Sequence, residues 1–130
     1  MSALSNAAEK LLLDWLMTTG TAVRPTQWHL AVFTAAPDDA GGGTELSGDG
    51  YSRQALTFAA ATSGAGTTSN TVAVSFTADG GDWGACTHVA IFTAATGGTM
   101  LWHGAMTTPR TIADADTLNF AIGEVDLAMA

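Results

Sequence analysis

Basic residues are scarce in this 130-residue chain: Lys10, Arg24, Arg53 and Arg110 stand against twelve acidic residues, for a net charge of −8. A nucleic-acid binder needs a basic surface that displaces counterions from phosphates, so this composition argues against that class. It argues equally against docking on an anionic membrane. It suits a soluble protein, or one whose partner surface is basic. Cysteine is nearly absent as well; Cys86 stands alone, which excludes an intrachain disulfide. No stretch reaches the roughly 18 apolar residues of a membrane-spanning helix. The N-terminus lacks a basic region followed by a long apolar run, so no signal peptide is expected. There is no heptad pattern, no collagen-like run and no repeat of 20–50 residues. Charge of either sign is thin, 12% of residues against 47% apolar. Thr, Ser and Gly supply much of the polarity instead. Such a surface fits a Thr-rich β protein, or one covered by partner subunits.

What is present fits one domain over residues 1–130 with a real core. Residues 4–18 read as an amphipathic helix: Leu4, Ala8, Leu11, Leu12, Trp15 and Leu16 recur at three- and four-residue steps. Asn6 with Glu9 has capping-box spacing, Ser5 is an equally good cap, and Gly20 supplies a stop. From 27 to 129 the chain reads as a β-sandwich. Trp28, Leu30 and Val32 alternate in Gln27–Ala35; Leu56 and Phe58 share a face in Tyr51–Phe58; Val72, Val74 and Phe76 point inward in Asn70–Phe76. Pro37-Asp38-Asp39, Gly41-Gly42-Gly43 and 64–69 read as loops. The runs His88–Thr93 and Thr99–Met106 flank Gly97-Gly98 and predict a hairpin whose turn uses positive φ. Pro109 is expected to exclude a central strand around Thr108–Arg110. The last strand, Thr117–Met129, switches apolar parity at Gly123-Glu124, which predicts a bulge there. About seven short strands with glycine-rich turns predict a mainly β fold: an antiparallel sandwich or jelly roll with one N-terminal helix.

Few residues suggest chemistry. Cys86, His88 and His103 are a conceivable zinc set, because residues two apart in one strand share a side and His103 lies in the partner strand. No close cysteine pair accompanies them, so strand histidines and a buried cysteine are the better reading. Cys86 as a nucleophile has no supporting sequence context. Asp38, Asp39, Glu45 and Asp49 could offer calcium carboxylates, without the EF-hand spacing. Asp114 and Asp116 read as turn residues. No catalytic residue, metal or cofactor is expected. The four tryptophans and Tyr51 could line a sugar-binding surface, although Trp15, Trp28 and Trp102 fall on core or interface patterns. Trp83 is the least clearly core-facing. The helix stripe either packs inward or docks on a partner. Leu4, Leu11, Leu12, Trp15 and Trp83 are therefore the candidate partner-interface residues.

Several motifs resemble a family of small tailed-bacteriophage structural proteins, often labelled tail fibre proteins. They are LSNAAEKLLLDWL (Leu4–Leu16), GTELSGDGYSRQALTF (Gly43–Phe58), Trp83–Phe92 with its THVAIF run, the ATGG turn, LWHGAMTTPRT (Leu101–Thr111) and ADTLNFAIGEVDL (Ala115–Leu127). The resemblance implies a non-enzymatic virion component, assembled in the host cytoplasm. Size favours a decoration or cement subunit on the capsid surface, because the chain shows neither shaft nor coiled coil. A small tail or fibre-base subunit and a carbohydrate-binding tail adhesin are the alternatives. The expected partners are the major capsid protein or a neighbouring virion protein, with self-association as dimer or trimer.

Overall fold

A computed structural model of the chain describes residues 2–129. Ten strands and one helix follow in the order β1 (Ser2–Leu4), α1 (Asn6–Met17), β2 (Trp28–Ala35), β3 (Thr44–Glu45), β4 (Gln54–Leu56), β5 (Thr67–Ser69), β6 (Val74–Thr77), β7 (Gly84–Phe92), β8 (Met100–Ile112), β9 (Thr117–Phe120) and β10 (Asp126–Ala128). The fold is mainly β, with antiparallel pairing throughout. The strand number exceeds the expected seven because β1, β3 and β5 are too short to leave a periodic signal.

A six-stranded sheet runs β1-β8-β7-β2-β3, with β4 also pairing β2; β6-β9 and β5-β10 form two-stranded sheets. Alternation along β2 divides the large sheet. Leu30 and Val32, with Ile91 from β7, meet Val74, Phe76, Leu118 and Phe120 from β6 and β9 in the main core. Phe76 and Leu118 are at most 2% exposed, and burying each such side chain stabilises by about 1.5–3 kcal/mol. Ala31, Phe33, Ala90 and Met100 form a smaller cluster on the opposite face.

The hairpin forms as the glycines predict: Gly97 and Gly98 have φ of 62° and 72°. Its strands are longer than expected, and β8 runs through Pro109. Pairing jumps from His88↔Ala105 to Cys86↔Arg110, so Pro109 falls in the bulged segment that makes no ladder bond. There β8 lies beyond β1, which pairs only Trp102–Gly104. A proline is tolerated at such an edge.

Other boundaries move for local reasons. Leu4 belongs to β1 and pairs Trp102, so α1 begins at Asn6. The helix ends before Gly20: Thr18 caps it and its Oγ1 donates to the Asp14 carbonyl at 2.8 Å. Residues 51–58 keep only Gln54–Leu56 as strand, and 70–76 starts as strand only at Val74. Val72, expected inside, is 58% exposed. Asn70 is the cause, since its amide donates to the Val72 carbonyl at 2.8 Å and the Ala121 carbonyl at 3.1 Å, bending the chain.

The parity switch at Gly123-Glu124 is a change of sheet, not a bulge. β9 pairs β6, a turn closes with Glu124 N–H donating to the Ala121 carbonyl, and β10 then pairs β5. Asn70 Oδ1 accepts from Gly123 and Val125 N–H at 3.0 and 2.9 Å, so one buried side chain holds the crossover.

A candidate assembly site beside the N-terminal helix

The arm formed by β1 and α1 is fastened at its beginning. Ser5 N–H donates to the Leu101 carbonyl and Asn6 N–H to the Asp39 carbonyl, each at 2.9 Å. Ser5 Oγ donates to the Met100 carbonyl and accepts from Ala8 N–H at 3.2 Å, which caps the helix. Asp39 also pairs His103 Nε2 at 2.7 Å, so the 36–43 loop is tied to both the arm and the large sheet. Beyond Ala8, no helix residue is buried.

Between the rest of α1 and the β layers lies an apolar groove of about 380 Å³. Leu4, Leu11, Leu12 and Trp15 line one wall; Trp28, Leu101 and Trp102 come from the large sheet, Leu127 from β10 of a two-stranded sheet and Phe58 from the segment that bridges Asn70. Trp102 Nε1 lies buried at this site without a hydrogen-bond partner among the described residues. Arg24 stands on the groove. Leu13, Leu16 and Met17 are 60%, 63% and 76% exposed. Helical phase sets them around the edge and outer side of α1, alongside the Lys10–Asp14 pair.

Four of the five expected interface residues thus share one groove. Trp83 does not. It is a core residue, 7% exposed, with Nε1 donating to the Asp49 carbonyl at 3.0 Å and its ring edge-on to Tyr51. Sequence reading missed Leu13 and Met17 because they fall outside the main stripe. It also missed Leu101 and Phe58, which topology alone brings to the groove.

The Cys86-His88-His103 set does not converge. The bulge between Cys86 and His88 breaks the two-residue rule. Cys86 joins the main core, while His88 pairs Phe33 on the opposite face. Burial pushes the Cys86 thiol pKa up, which keeps it neutral. Among the described residues no three His, Cys, Asp or Glu side chains are grouped as a metal site. Three of the four loop carboxylates, Asp38, Asp39 and Glu45, are engaged by their own chain. Asp38 Oδ1 accepts from Gly42 and Ala40 N–H, and those bonds hold its pKa below the ordinary value. Asp116 accepts from Ala113 N–H within its own turn, as expected of it, whereas Asp114 accepts from Gly80 N–H, 34 residues away, and ties its turn to the 79–82 turn.

Glu45 anchors a second fixed point. Arg53 donates to both its carboxylate oxygens at 2.8 Å, and the Tyr51 hydroxyl donates to Oε1 at 2.7 Å. Burial raises the Glu45 pKa, but the bonds from Arg53 and Tyr51 outweigh it and leave it below the ordinary value. Arg53 also reaches the Ala94 and Gly97 carbonyls and lies 3.7 Å over the Phe92 ring, so it locks the hairpin tip.

Fold and groove together define a β-rich domain that carries an unfilled apolar surface beside a lightly fastened helix. Comparison with known families names the group: the family described as Podophage GP4 fiber I protein gp80 matches residues 3–128. The chain belongs to that family, a phage fibre structural family, in agreement with the resemblance seen in its motifs. No curated protein matches the chain.

Proposed function

We propose that the chain is a non-enzymatic structural subunit of a tailed-phage virion, built into a fibre or its base. The carrying observation is the family match, which spans residues 3–128 and so leaves almost nothing of the chain outside a fibre-type protein. The site geometry supports the same reading. The β layers carry their own core, whereas the helix buries only Ala8 and leaves an apolar groove. Surfaces of that kind mark interaction sites. The subunit works as a dimer or trimer against a neighbouring virion protein.

Capsid decoration is a second reading, favoured by one observation. The single helix among the described residues has twelve residues, about 18 Å, and the strands form a compact stack instead of a shaft. Quantitative mass spectrometry of purified particles separates the two. A fibre subunit is present in few copies, up to about a dozen per tail as closed symmetry allows. A shell decoration is present in hundreds. Particles lacking a fibre subunit keep their heat stability and lose adsorption to cells. Particles lacking a decoration subunit adsorb normally and release DNA on heating or at low salt, where DNA self-repulsion is less screened. The second pattern overturns the fibre reading.

A further inference from the structure

We propose that the groove and the exposed end of α1 form one self-association surface, filled by α1 of a second copy of this chain. The inference rests on the reading of the chain as an assembly subunit and names the surface and occupant. The groove demands apolar side chains: Leu11, Leu12, Trp15, Trp28, Phe58 and Trp102 line it. The chain itself carries a matching supply a few residues away. Leu13, Leu16 and Met17 project from the same helix with more than half their surface exposed. With Trp15 they leave on the order of 500 Å² of apolar surface within five residues, at the upper end of what monomers carry. The groove wall extends that area toward the roughly 800 Å² per partner of a stable interface. A helix that is apolar on its inner stripe and again at 13 and 17 has the pattern of one enclosed on more than one side.

Charge permits a second copy here despite the net −8. Lys10 and Asp14 of α1 pair with each other, which neutralises the outer face. Glu9 on the helix and Arg24 on the groove have opposite signs, and neither has an ion-pair partner among the described residues. Each copy therefore brings one free charge of each sign. A symmetric contact can match them in both directions.

The test uses the full chain at tens of micromolar concentration in sedimentation equilibrium, alongside Leu13→Glu/Met17→Glu. Both substituted residues are exposed, so the far-UV circular dichroism is expected to stay unchanged while self-association weakens at least ten-fold. Independently, Leu16→Cys in a Cys86→Ser background is expected to cross-link between copies with a short bismaleimide. The inference is overturned if the wild-type chain is monomeric, if the double variant associates like wild type, or if Leu16→Cys fails to cross-link. A monomeric wild-type chain that purified particles still retain overturns this inference and leaves the fibre-subunit reading intact. Absence from particles overturns that reading whatever the chain does in solution.

Discussion

Replacing Asn70 with Ala is the most direct test of how the fold turns its last strands. The side chain is 1% exposed and makes four hydrogen bonds: two donated to the Val72 and Ala121 carbonyls and two accepted from Gly123 and Val125 N–H. Gly123 N–H also reaches the Asn70 carbonyl at 3.1 Å, so it keeps a partner in the variant. Val125 is 7% exposed, and its N–H loses the side-chain acceptor that satisfies it. Each intramolecular hydrogen bond contributes about 0.5–1.5 kcal/mol net, and a buried donor left unpaired costs about 1–3 kcal/mol. All four bonds are lost, but Gly123 N–H keeps its backbone acceptor; the two donated bonds and the orphaned Val125 N–H give an expected loss of about 3–4 kcal/mol. With a urea m-value near 1.5–2 kcal/mol/M, the denaturation midpoint falls by about 2 M. Ala73→Ser, exposed and nearby, serves as control and shifts stability by less than about 0.5 kcal/mol. An Asn70→Ala loss below about 1 kcal/mol refutes the reasoning: the β9–β10 crossover is then held by its backbone ladders.

Three further outcomes follow from buried groups. Trp83→Ala removes a core ring and its bond to the Asp49 carbonyl, and loses about 3–5 kcal/mol in the same titration. Cys86→Ser adds a hydroxyl to the core and loses about 1–2 kcal/mol, with particle incorporation unchanged at permissive temperature; abolished incorporation of a folded variant would give Cys86 a role beyond packing. For Glu45, the folded pKa lies below the unfolded value of 4.5, so its contribution is present above that value and disappears as pH falls through the folded pKa. Glu45→Gln therefore loses about 1–2 kcal/mol at neutral pH, because Arg53 keeps its bonds to the Ala94 and Gly97 carbonyls but loses the carboxylate charge at a partly exposed site, and the gap to wild type narrows below pH 4.5, as thermal melts across pH will show.

Much of the β architecture was legible in local pattern. β2 and the hairpin strands announce themselves by alternation or apolar content, and Gly97-Gly98 marks the turn by its φ requirement. The misreadings arise where a single non-local contact overrides the pattern. Val72 fits the alternation of Val74 and Phe76, yet Asn70 reaches to Ala121, 51 residues away, and bends the chain before Val74. The parity switch at Gly123-Glu124 was visible. Its meaning was not, because a bulge and a change of sheet leave the same trace in sequence. Trp83 looked peripheral beside Gly84, but the 48–50 turn closes over it through the Asp49 carbonyl. The groove was half legible: the stripe on α1 gives one wall, while Phe58, Leu101 and Trp102 form the other only after the sheets assemble.

The uneven fastening of the arm is the feature that the proposed assembly would use. Residues 2–8 hold it by a three-residue ladder, the Ser5 cap and the Asp39 contact. The rest of α1, and Thr18–Gln27 after it, contributes no buried residue. Were the arm needed only to close the core, its apolar side chains would turn inward and the groove would be filled. The β layers instead form a buried core without them, with Leu30, Val32 and Cys86 at 0% exposure. Keeping Leu13, Trp15, Leu16 and Met17 at the surface forgoes several kcal/mol of burial, free energy that the proposed association would recover. An isolated helix of twelve residues is marginal in water, so a partner docked on α1 would also secure the helix itself. On the proposed assembly, subunit binding and completion of the fold become one step, and the stability of each copy would depend on the partner it binds.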